Sequence, residues 1–350
     1  MDILVLFGAL VIILVGAEFF TNGIEWFGRK LNLAEGAVGS VLAAIGTALP
    51  ETMIPVIAIL FSSSASSHEV GVGAILGAPF MLSTLAMFVT GLAVVWAARS
   101  RTTGDAMQID TVVLGHDVRY FAVAYALAIA AAFLPLEPVW LKWIAALILL
   151  GIYAWYVKGH FEADAKEQAE DLEALRFRKL DRGAHRDDPA TPRLRIVTFQ
   201  VLVALGLIIL GAIFFVNAVN DLATQLAVDS VLLALVIAPV ATELPETFNS
   251  VIWVRQGKDT LAMGNITGAM VFQSTIPTVV ALLFASGAWV VNEASYVAFA
   301  SAAIAFISTA VIFTPMVRHG TLHGKRLLFG VLFYGAYLVL VLASVTGVIG

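Results

Sequence analysis

A proline and a carboxylate stand inside an apolar run at residues 46–52, whose sequence is Gly-Thr-Ala-Leu-Pro-Glu-Thr. The stretch recurs 195 residues later, at residues 241–247, as Ala-Thr-Glu-Leu-Pro-Glu-Thr, and again lies in an apolar run. We call these two stretches the Pro-Glu motifs. An ionised group is costly in hydrocarbon, and an ionisable residue there is a candidate functional residue by default. The repeat therefore predicts a membrane protein built from two related halves.

The composition supports a membrane location. Hydrophobic residues make up 60% of the 350 residues and charged residues 13%, whereas about a quarter of the residues of a soluble domain are charged. Cysteine is absent, which excludes disulfides, thiolate metal sites and cysteine nucleophiles. The net charge of −5 is spread over many loops and indicates no nucleic-acid partner. The predicted partners are membrane lipid and inorganic cations.

Ten apolar runs, each long enough for a span of about 20 residues, predict an all-α polytopic membrane protein with ten transmembrane helices. They lie near residues 3–27, 33–61, 70–98, 117–134, 138–157, 197–220, 229–254, 260–286, 294–315 and 326–348. A hydrophilic segment with nine acidic and nine basic residues, from Lys158 to Arg195, divides them five and five. We expect a first five-helix repeat at 1–157, a cytoplasmic linker at 158–196 and a second repeat at 197–350. The linker is interpreted as a solvated and partly helical spacer between the halves, with a regulatory or cation-sensing role as the alternative.

The distribution of basic residues predicts the orientation, because short loops rich in Lys and Arg stay on the cytoplasmic side. If the linker is cytoplasmic, 19 of the 20 Lys and Arg residues lie inside and Lys142 alone lies outside. This pattern favours a prokaryotic cytoplasmic (inner) membrane protein with both termini outside. Five is an odd number of spans, so the second half enters the membrane from the opposite side and the two repeats are inverted.

The internal repeat extends well beyond the motifs. An ungapped alignment of 16–52 with 211–247 gives 13 identities in 37 positions, including the pair Gly16 and Gly211. After a four-residue shift the match continues in two glycine-rich helices, where Gly73 pairs with Gly264 and Gly77 with Gly268. Inverted-repeat transporters place the substrate site near the bilayer midplane, at the repeat interface and on interrupted helices.

Proline within a helix removes a hydrogen bond and leaves the carbonyl four residues earlier without its donor. Pro50 is therefore expected to release the carbonyl of Gly46, and Pro245 that of Ala241. In hydrocarbon such carbonyls are tolerated where protein, water or an ion satisfies them. A simple packing kink is the alternative role for these prolines.

Hydroxyl and carboxylate groups complete an all-oxygen set. Thr47 and Thr242 supply hydroxyls, unless they bond back to their own helices, and Glu51 and Glu246 supply carboxylates at corresponding positions. Oxygen ligands suit hard cations such as Ca²⁺ or Na⁺.

Five polar residues of the glycine-rich helices are candidates for an ion path, with ordinary interhelical hydrogen bonds as the alternative. These residues are Ser83, Thr84, Asn265, Gln273 and Ser274. Histidine is absent from all ten predicted spans, which argues against a histidine proton relay. A phosphate-binding loop is also absent, so an ion gradient is the expected energy source.

Ten helices in two inverted halves, each with a Pro-Glu motif followed by a glycine-rich helix, resemble the cation/calcium exchanger superfamily, in particular its prokaryotic sodium/calcium antiporters. The resemblance covers nearly the whole chain. It implies Glu51, Glu246, Thr47 and Thr242 as ligands of Ca²⁺ and Na⁺. It also implies alternating access by sliding of the first helices of the two repeats.

Several positions depart from the family pattern. Ala48 and Glu243 stand where the family usually has serine, and Pro79 and Met270 stand where it usually has Asn or Asp. Glu243 adds a third carboxylate, so it joins the predicted cation ligands and can replace the lost oxygen groups. Close carboxylates repel one another, which makes proton exchange for a cation a variant of the mechanism.

The predicted function is a secondary active cation antiporter that exchanges Ca²⁺ for Na⁺ or H⁺, with the ion between the two Pro-Glu helices and without a resident cofactor. One alternative keeps the fold but transports a different cation, which Pro79 and Met270 favour. A second alternative is a membrane scaffold or sensor without transport. An enzyme is not expected, since the spans lack a nucleophile-base pair and a metal-binding histidine cluster. The sequence leaves the oligomeric state open.

Overall fold

The computed structural model describes residues 2–30, 49–62, 64–164, 173–180, 192–226, 228, 233–237, 242–292 and 295–346. Apart from two short strands, the regular secondary structure of these residues is helical. The helices are α1 Asp2–Lys30, α2 Leu49–Leu60, α3 Ala65–Met81, α4 Met87–Ala97, α5 Thr111–Ala130, α6 Trp140–Asp164, α7 Leu194–Leu226, α8 Leu244–Arg255, α9 Asp259–Phe284, α10 Tyr296–His319, α11 Gly324–Leu327 and α12 Gly330–Val345. The π-helical turn Leu82–Ala86 joins α3 to α4, and 3₁₀ turns lie at Ala131–Phe133 and Arg176–Leu180.

Eight of these helical segments are long and apolar enough to cross a membrane. They are Ile3–Ile24, Ala65–Ala97, Thr111–Phe133, Trp140–Gly159, Leu194–Leu226, Asp259–Phe284, Tyr296–His319 and Gly324–Ser344. Each coincides with a predicted span. The other two predicted spans, 33–61 and 229–254, contain the Pro-Glu motifs, and their described parts are the shorter helices α2 and α8. The described residues thus form an all-helical membrane protein with eight full-length spans.

The long helices α1 and α7 form the most extensive helix pair in the described structure. Two glycines at corresponding positions of the sequence repeat make this close contact possible. A Cβ atom on Gly16 would lie 2.8 Å from Cγ1 of Ile208, and one on Gly211 would lie 2.7 Å from Cγ1 of Ile13. Such distances are too short for real carbon contacts, so a side chain at either position would force the neighbouring helix or its isoleucine to shift.

Helix α9 is the centre of the remaining helices and packs against α2, α3, α5, α6 and α8. A buried polar cluster joins it to α5 and α6. Asp117 of α5, which is 1% exposed, accepts hydrogen bonds from Tyr156 Oη at 3.0 Å and from Thr267 Oγ1 at 2.6 Å. The hydroxyl donors come from α6 and α9 respectively, so one carboxylate orients three helices.

A group of loops at one end of the molecule is held by charge and by a small sheet. The strands β1, Ala106–Met107, and β2, Leu322–His323, pair antiparallel. Arg101 forms a buried ion pair with Asp259 at the start of α9, and Asp259 also accepts from the Gln108 amide at 2.7 Å. These contacts fix the end of α4, the start of α9 and the start of α11 to one another.

Part of the predicted linker is docked across α1 and α7. Asn22 of α1 accepts hydrogen bonds from the Arg176 amide and from Nε2 of Gln200, both at 3.0 Å. Gln200 of α7 in turn accepts from the Phe177 amide at 2.8 Å, and Trp26 donates to the Glu173 carbonyl at 2.8 Å. We call residues 173–180 the linker strap. The helices also extend into the predicted linker, since α6 continues to Asp164 and α7 begins at Leu194.

Candidate functional site

Three of the five predicted cation ligands have side chains in the described structure. Glu51 is 5% exposed, and Thr242 and Glu243 are each 2% exposed. Thr47 and the side chain of Glu246 lie outside the described residues. The candidate ligands within the described residues are therefore a buried carboxylate from the first motif and a buried hydroxyl and carboxylate from the second.

The second Pro-Glu motif contains a break in the helix. Thr242 is helical, Glu243 forms a turn with φ −80° and ψ −2°, and α8 begins at Leu244. Pro245 thus lies in the first turn of α8, where its missing N–H costs no helical hydrogen bond. The carbonyl of Ala241, which this proline was predicted to release, lies outside the described residues. The described part of the motif shows a new helix start at the carboxylate rather than a proline within a continuous helix.

The carbonyl of Glu243 accepts the first hydrogen bonds of α8. It accepts from the Thr247 amide at 3.0 Å and from Thr247 Oγ1 at 2.8 Å. This local bonding holds the residue at the N-cap of α8. The positive end of the helix dipole stabilises an anion there by about 0.3–1 kcal/mol. The helix dipole therefore offsets only a small part of the cost of burying the extra carboxylate of the second motif.

In the first motif, the described part of α2 begins at Leu49, so Glu51 lies in its first turn. Pro55 lies inside the same helix. Pro55 has no N–H to donate to the carbonyl of Glu51 four residues earlier. The carbonyl of Gly46, which Pro50 is predicted to release, lies outside the described residues. The effect of Pro55 on the carbonyl of Glu51 was not predicted from the sequence. The signal was present in the chain as a proline four residues after the motif carboxylate.

The two motif helices meet the same neighbour, because α2 and α8 both pack against α9. Helix α2 also packs against α3 and α7, and α8 also packs against α4. The fold thus places the buried carboxylates of Glu51 and Glu243 on helices that flank α9. Buried carboxylates in a membrane protein require cationic or hydrogen-bonding compensation, and oxygen groups of this kind suit hard cations.

The hydroxyl residues predicted as candidates for an ion path are used by their own helices. Ser83 and Thr84 donate to the carbonyl of Phe80 at 3.0 and 2.6 Å, and Ser274 donates to that of Val271 at 2.9 Å. All three side chains are fully or almost fully buried. These contacts are intrahelical, so neither an ion path nor an interhelical tie is needed to account for the three hydroxyls.

The two amide candidates differ from each other. Asn265 donates to Ser250 Oγ at 3.4 Å and so ties α9 to α8. Gln273 is 1% exposed, and neither its amide oxygen nor its amide nitrogen has a hydrogen-bond partner in the described part of the chain. Within those same residues, no group of three or more His, Asp and Glu side chains is arranged to hold a metal ion.

Eight apolar spans in the described residues indicate an integral membrane protein, and buried carboxylates on short helices beside a central helix are typical of transporters. The sequence profile of the sodium/calcium exchanger protein family matches residues 1–159 and 196–346. The chain belongs to this family, and the resemblance drawn from the Pro-Glu motifs is confirmed.

Curated relatives and solved structures agree with this membership. A putative antiporter, CaxA, from Alkalimonas amylolytica is 25% identical over 265 residues, which cover 75% of this chain and 74% of that protein. An uncharacterised membrane protein of Methanocaldococcus jannaschii, MJ0091, is 22% identical over 263 residues, or 74% of each chain.

Among solved structures, the H⁺/Ca²⁺ exchanger CAX superposes with a TM-score of 0.67 at 15% identity, covering 97% of this chain and 86% of that one. The sodium-calcium exchanger NCX_Mj gives 0.56 at 16% identity, covering 97% and 99%. These likenesses show a shared fold. The family and its relatives support cation antiport, rather than catalysis, as the function class.

Proposed function

We propose that the protein is a secondary active antiporter that exchanges Ca²⁺ for Na⁺ or H⁺ by alternating access. The cation is held between the two Pro-Glu helices by Glu51, Glu246, Thr47, Thr242 and Glu243. The ion is cargo, and the exchange needs no resident cofactor. The proposal includes ten spans in two inverted five-helix repeats, insertion in a prokaryotic inner membrane and termini on the outside.

The observation that carries the proposal is the burial of motif carboxylates from both halves on helices that share one neighbour. Glu51 and Glu243 are almost completely buried, and α2 and α8 both pack against α9. A carboxylate at membrane depth costs several kcal/mol, which a transported cation can offset each time it binds. The names of the solved relatives, an H⁺/Ca²⁺ exchanger and a sodium-calcium exchanger, agree with this cargo.

Transport of ⁴⁵Ca²⁺ into proteoliposomes tests the proposal. We expect uptake when an outward Na⁺ gradient or an outward H⁺ gradient is imposed, and the gradient that drives uptake identifies the coupling ion. Absence of uptake with both gradients contradicts Ca²⁺ antiport. Competition by Mg²⁺, Mn²⁺, K⁺ and Li⁺ in the same assay tests the alternative in which another cation is the cargo.

A carboxylate substitution with a matched control assigns the site. Glu51→Gln keeps the side-chain shape but removes the charge, so we expect transport to fall by about 100-fold or more because a charged ligand is lost. Glu18→Gln is the control. Its carboxylate is 59% exposed and pairs with Arg176 at 3.0 Å on the surface, so transport should stay near the wild-type rate. Equal transport rates for the two variants would show that Glu51 is not a ligand of the transported cation.

A further inference from the structure

An open cavity of about 390 Å³ lies where the helices α4 and α8 end. It is lined by Trp96, Ala97, Arg99, Ser100 and Arg255. Helix α4 ends at Ala97 and α8 ends at Arg255, so two different helices form the walls of the cavity. The distribution of Lys and Arg predicts that this end of the molecule faces the cytoplasm.

A buried arginine fixes the two walls relative to each other. Arg101 follows Arg99 by two residues, and its side chain is 7% exposed. It donates from Nη1 to the carbonyl of Val254 at 2.8 Å, and Val254 is a fully buried residue that directly precedes Arg255. This hydrogen bond joins the chain beside Arg99 to the chain beside Arg255. The cavity is therefore a built feature of the fold, with both arginines held at it.

The charges of the arginines at this end are satisfied in different ways. Arg101 is buried in an ion pair with Asp259. Arg99 and Arg255 are exposed, and neither forms an ion pair with an acidic side chain among the described residues. The guanidinium carbon of Arg255 lies 5.3 Å from the centroid of the Trp96 ring, a cation–π contact that orients the side chain. Two guanidinium groups at one cavity thus leave positive charge available to an anion.

Exposed apolar side chains continue from the cavity along both helices. Leu92 lies one turn before Trp96 on α4, and Ile252 lies one turn before Arg255 on α8, so each shares a helix face with the cavity residue that follows it. Leu92, Trp96 and Ile252 are 46%, 74% and 49% exposed. The surface therefore has basic groups at the end of the helices and apolar groups on the side of the membrane interior. This order of polarity matches that of a phospholipid.

We propose that the cavity binds the phosphate group of an anionic phospholipid from the cytoplasmic leaflet, between the guanidinium groups of Arg99 and Arg255. The planar guanidinium group donates two parallel hydrogen bonds to phosphate oxygens, and basic pockets between membrane helices on the cytoplasmic side bind anionic headgroups. The acyl chains then lie along Leu92 and Ile252. A free phosphate ion would use the same arginines but would leave these apolar side chains unused, which favours the lipid.

The bound lipid would join the end of α8, the helix of the second Pro-Glu motif, to the end of α4. Its binding should therefore stabilise the folded protein, because a ligand that binds only the folded state shifts the unfolding equilibrium. The inference does not depend on which cation the protein transports.

Thermal unfolding of the purified full-length chain in dodecyl maltoside, titrated with phosphatidylglycerol, tests the assignment. We expect the melting temperature to rise and then to saturate. Phosphatidylcholine should raise it much less, because its phosphate charge is balanced by an ammonium group. Arg99→Gln and Arg255→Gln should each weaken the apparent affinity for phosphatidylglycerol by about fivefold, and the double variant by about 25-fold. Native mass spectrometry should show one phosphatidylglycerol retained per wild-type chain.

Arg318→Gln is the matched control. Arg318 is also exposed and lies in the last turn of α10, but it does not line the cavity. The substitution removes the same charge, so its titration with phosphatidylglycerol should follow that of the wild type. All of these side chains are exposed, and we expect the melting temperatures without lipid to stay close to the wild-type value. Arg255→Lys keeps the charge but loses the planar group, so its affinity should be intermediate.

Four results would overturn the inference. Equal stabilisation by phosphatidylglycerol and phosphatidylcholine would show that the cavity does not recognise an anionic lipid. Equal stabilisation by inorganic phosphate, lost in the same variants, would identify a site for a soluble anion. A loss of affinity in Arg318→Gln as large as that in Arg255→Gln would show general attraction to basic surface. Unchanged lipid affinity in the double variant, whatever its melting temperature without lipid, would show that the two arginines do not bind the headgroup.

Discussion

Two ion pairs near the same loops differ greatly in burial. The side chains of Arg101 and Asp259 are 7% and 1% exposed, whereas Lys325, which approaches Asp105 at 3.6 Å, is 73% exposed. Arg101 also donates to the Val254 carbonyl at 2.8 Å. Water and salt screen the exposed pair, but removal of one partner from the buried pair leaves a charge in a low-dielectric environment.

Arg101→Met should therefore destabilise the protein strongly, by about 3–5 kcal/mol, because Asp259 loses its buried partner. Lys325→Met, the matched control, should cost less than about 1 kcal/mol. Thermal unfolding of both variants in detergent measures the difference. In a double-mutant cycle, Arg101→Met with Asp259→Leu should recover much of the loss. Equal melting temperatures for the two single variants would contradict the assigned difference in burial.

At the level of single residues, burial could be predicted from the sequence where the neighbours of a residue along the chain determine its environment. Glu51 stood in an apolar run, which predicted its burial. Neither Arg101 with Asp259, 158 positions apart, nor Asp117 with Thr267, 150 apart, carries a local signal. Their pairing is set by tertiary packing, and a charged residue near a predicted span end is equally compatible with a solvated loop.

Among the helices, the linker strap shows how a hydrophilic segment can be ordered by polar groups of membrane helices. Leu175 is 2% exposed and packs in a cluster with Trp26 and Val197. The ring of Phe177 packs edge-on against that of Phe19, with the ring centroids 5.6 Å apart. The buried side chains of Asn22 on α1 and Gln200 on α7 accept hydrogen bonds from two successive backbone amides of the strap. The strap therefore bridges α1 and α7, and a purely solvated spacer does not describe this part of the linker.

Substitution of Asn22 by leucine should release the strap, because the four hydrogen bonds of this buried side chain are lost with little change in volume. We expect trypsin to cleave after Arg176, Arg178 and Lys179 several-fold faster than in the wild type, as local unfolding exposes these bonds. Mass spectrometry of a digestion time course gives the rates. Asn217→Leu is the control, since Asn217 is the repeat counterpart of Asn22 but lies on an exposed face of α7. Similar rates for the two variants would show that Asn22 does not hold the strap.

Helix positions followed from apolar length, whereas helix interruptions did not. Eight predicted spans coincide with described helices, because a span must satisfy its backbone internally and exclude charge over about 20 residues. The position of Pro245 is different. Proline is compatible both with a kink inside a helix and with the first turn of a helix. The turn at Glu243 places Pro245 in a first turn, and no sequence signal indicates that turn.

For the molecule as a whole, polarity is distributed unequally between the halves. The cluster around Thr267 and the buried amide of Gln273 both lie on α9, whereas Leu76 of α3 and the adjoining Leu82 stand at the matching places of the first half. The loops that hold the start of α9 also carry Arg101, Lys325 and other basic residues. The distribution of Lys and Arg therefore predicts that this end of the molecule faces the cytoplasm.

That orientation can be tested with two cysteines at opposite ends of α9, since the chain has no native cysteine. Gln256 is exposed just before α9, and Gly287 is exposed just after it, where an added Cβ would meet nothing within 4 Å. In intact spheroplasts, a membrane-impermeant maleimide should label Gly287→Cys and should label Gln256→Cys only after permeabilisation, because a charged reagent cannot cross the hydrocarbon core. The unsubstituted chain gives the background. Reversed labelling would invert the proposed topology and place both termini inside, and labelling of both sites in intact spheroplasts would show that α9 does not span the membrane.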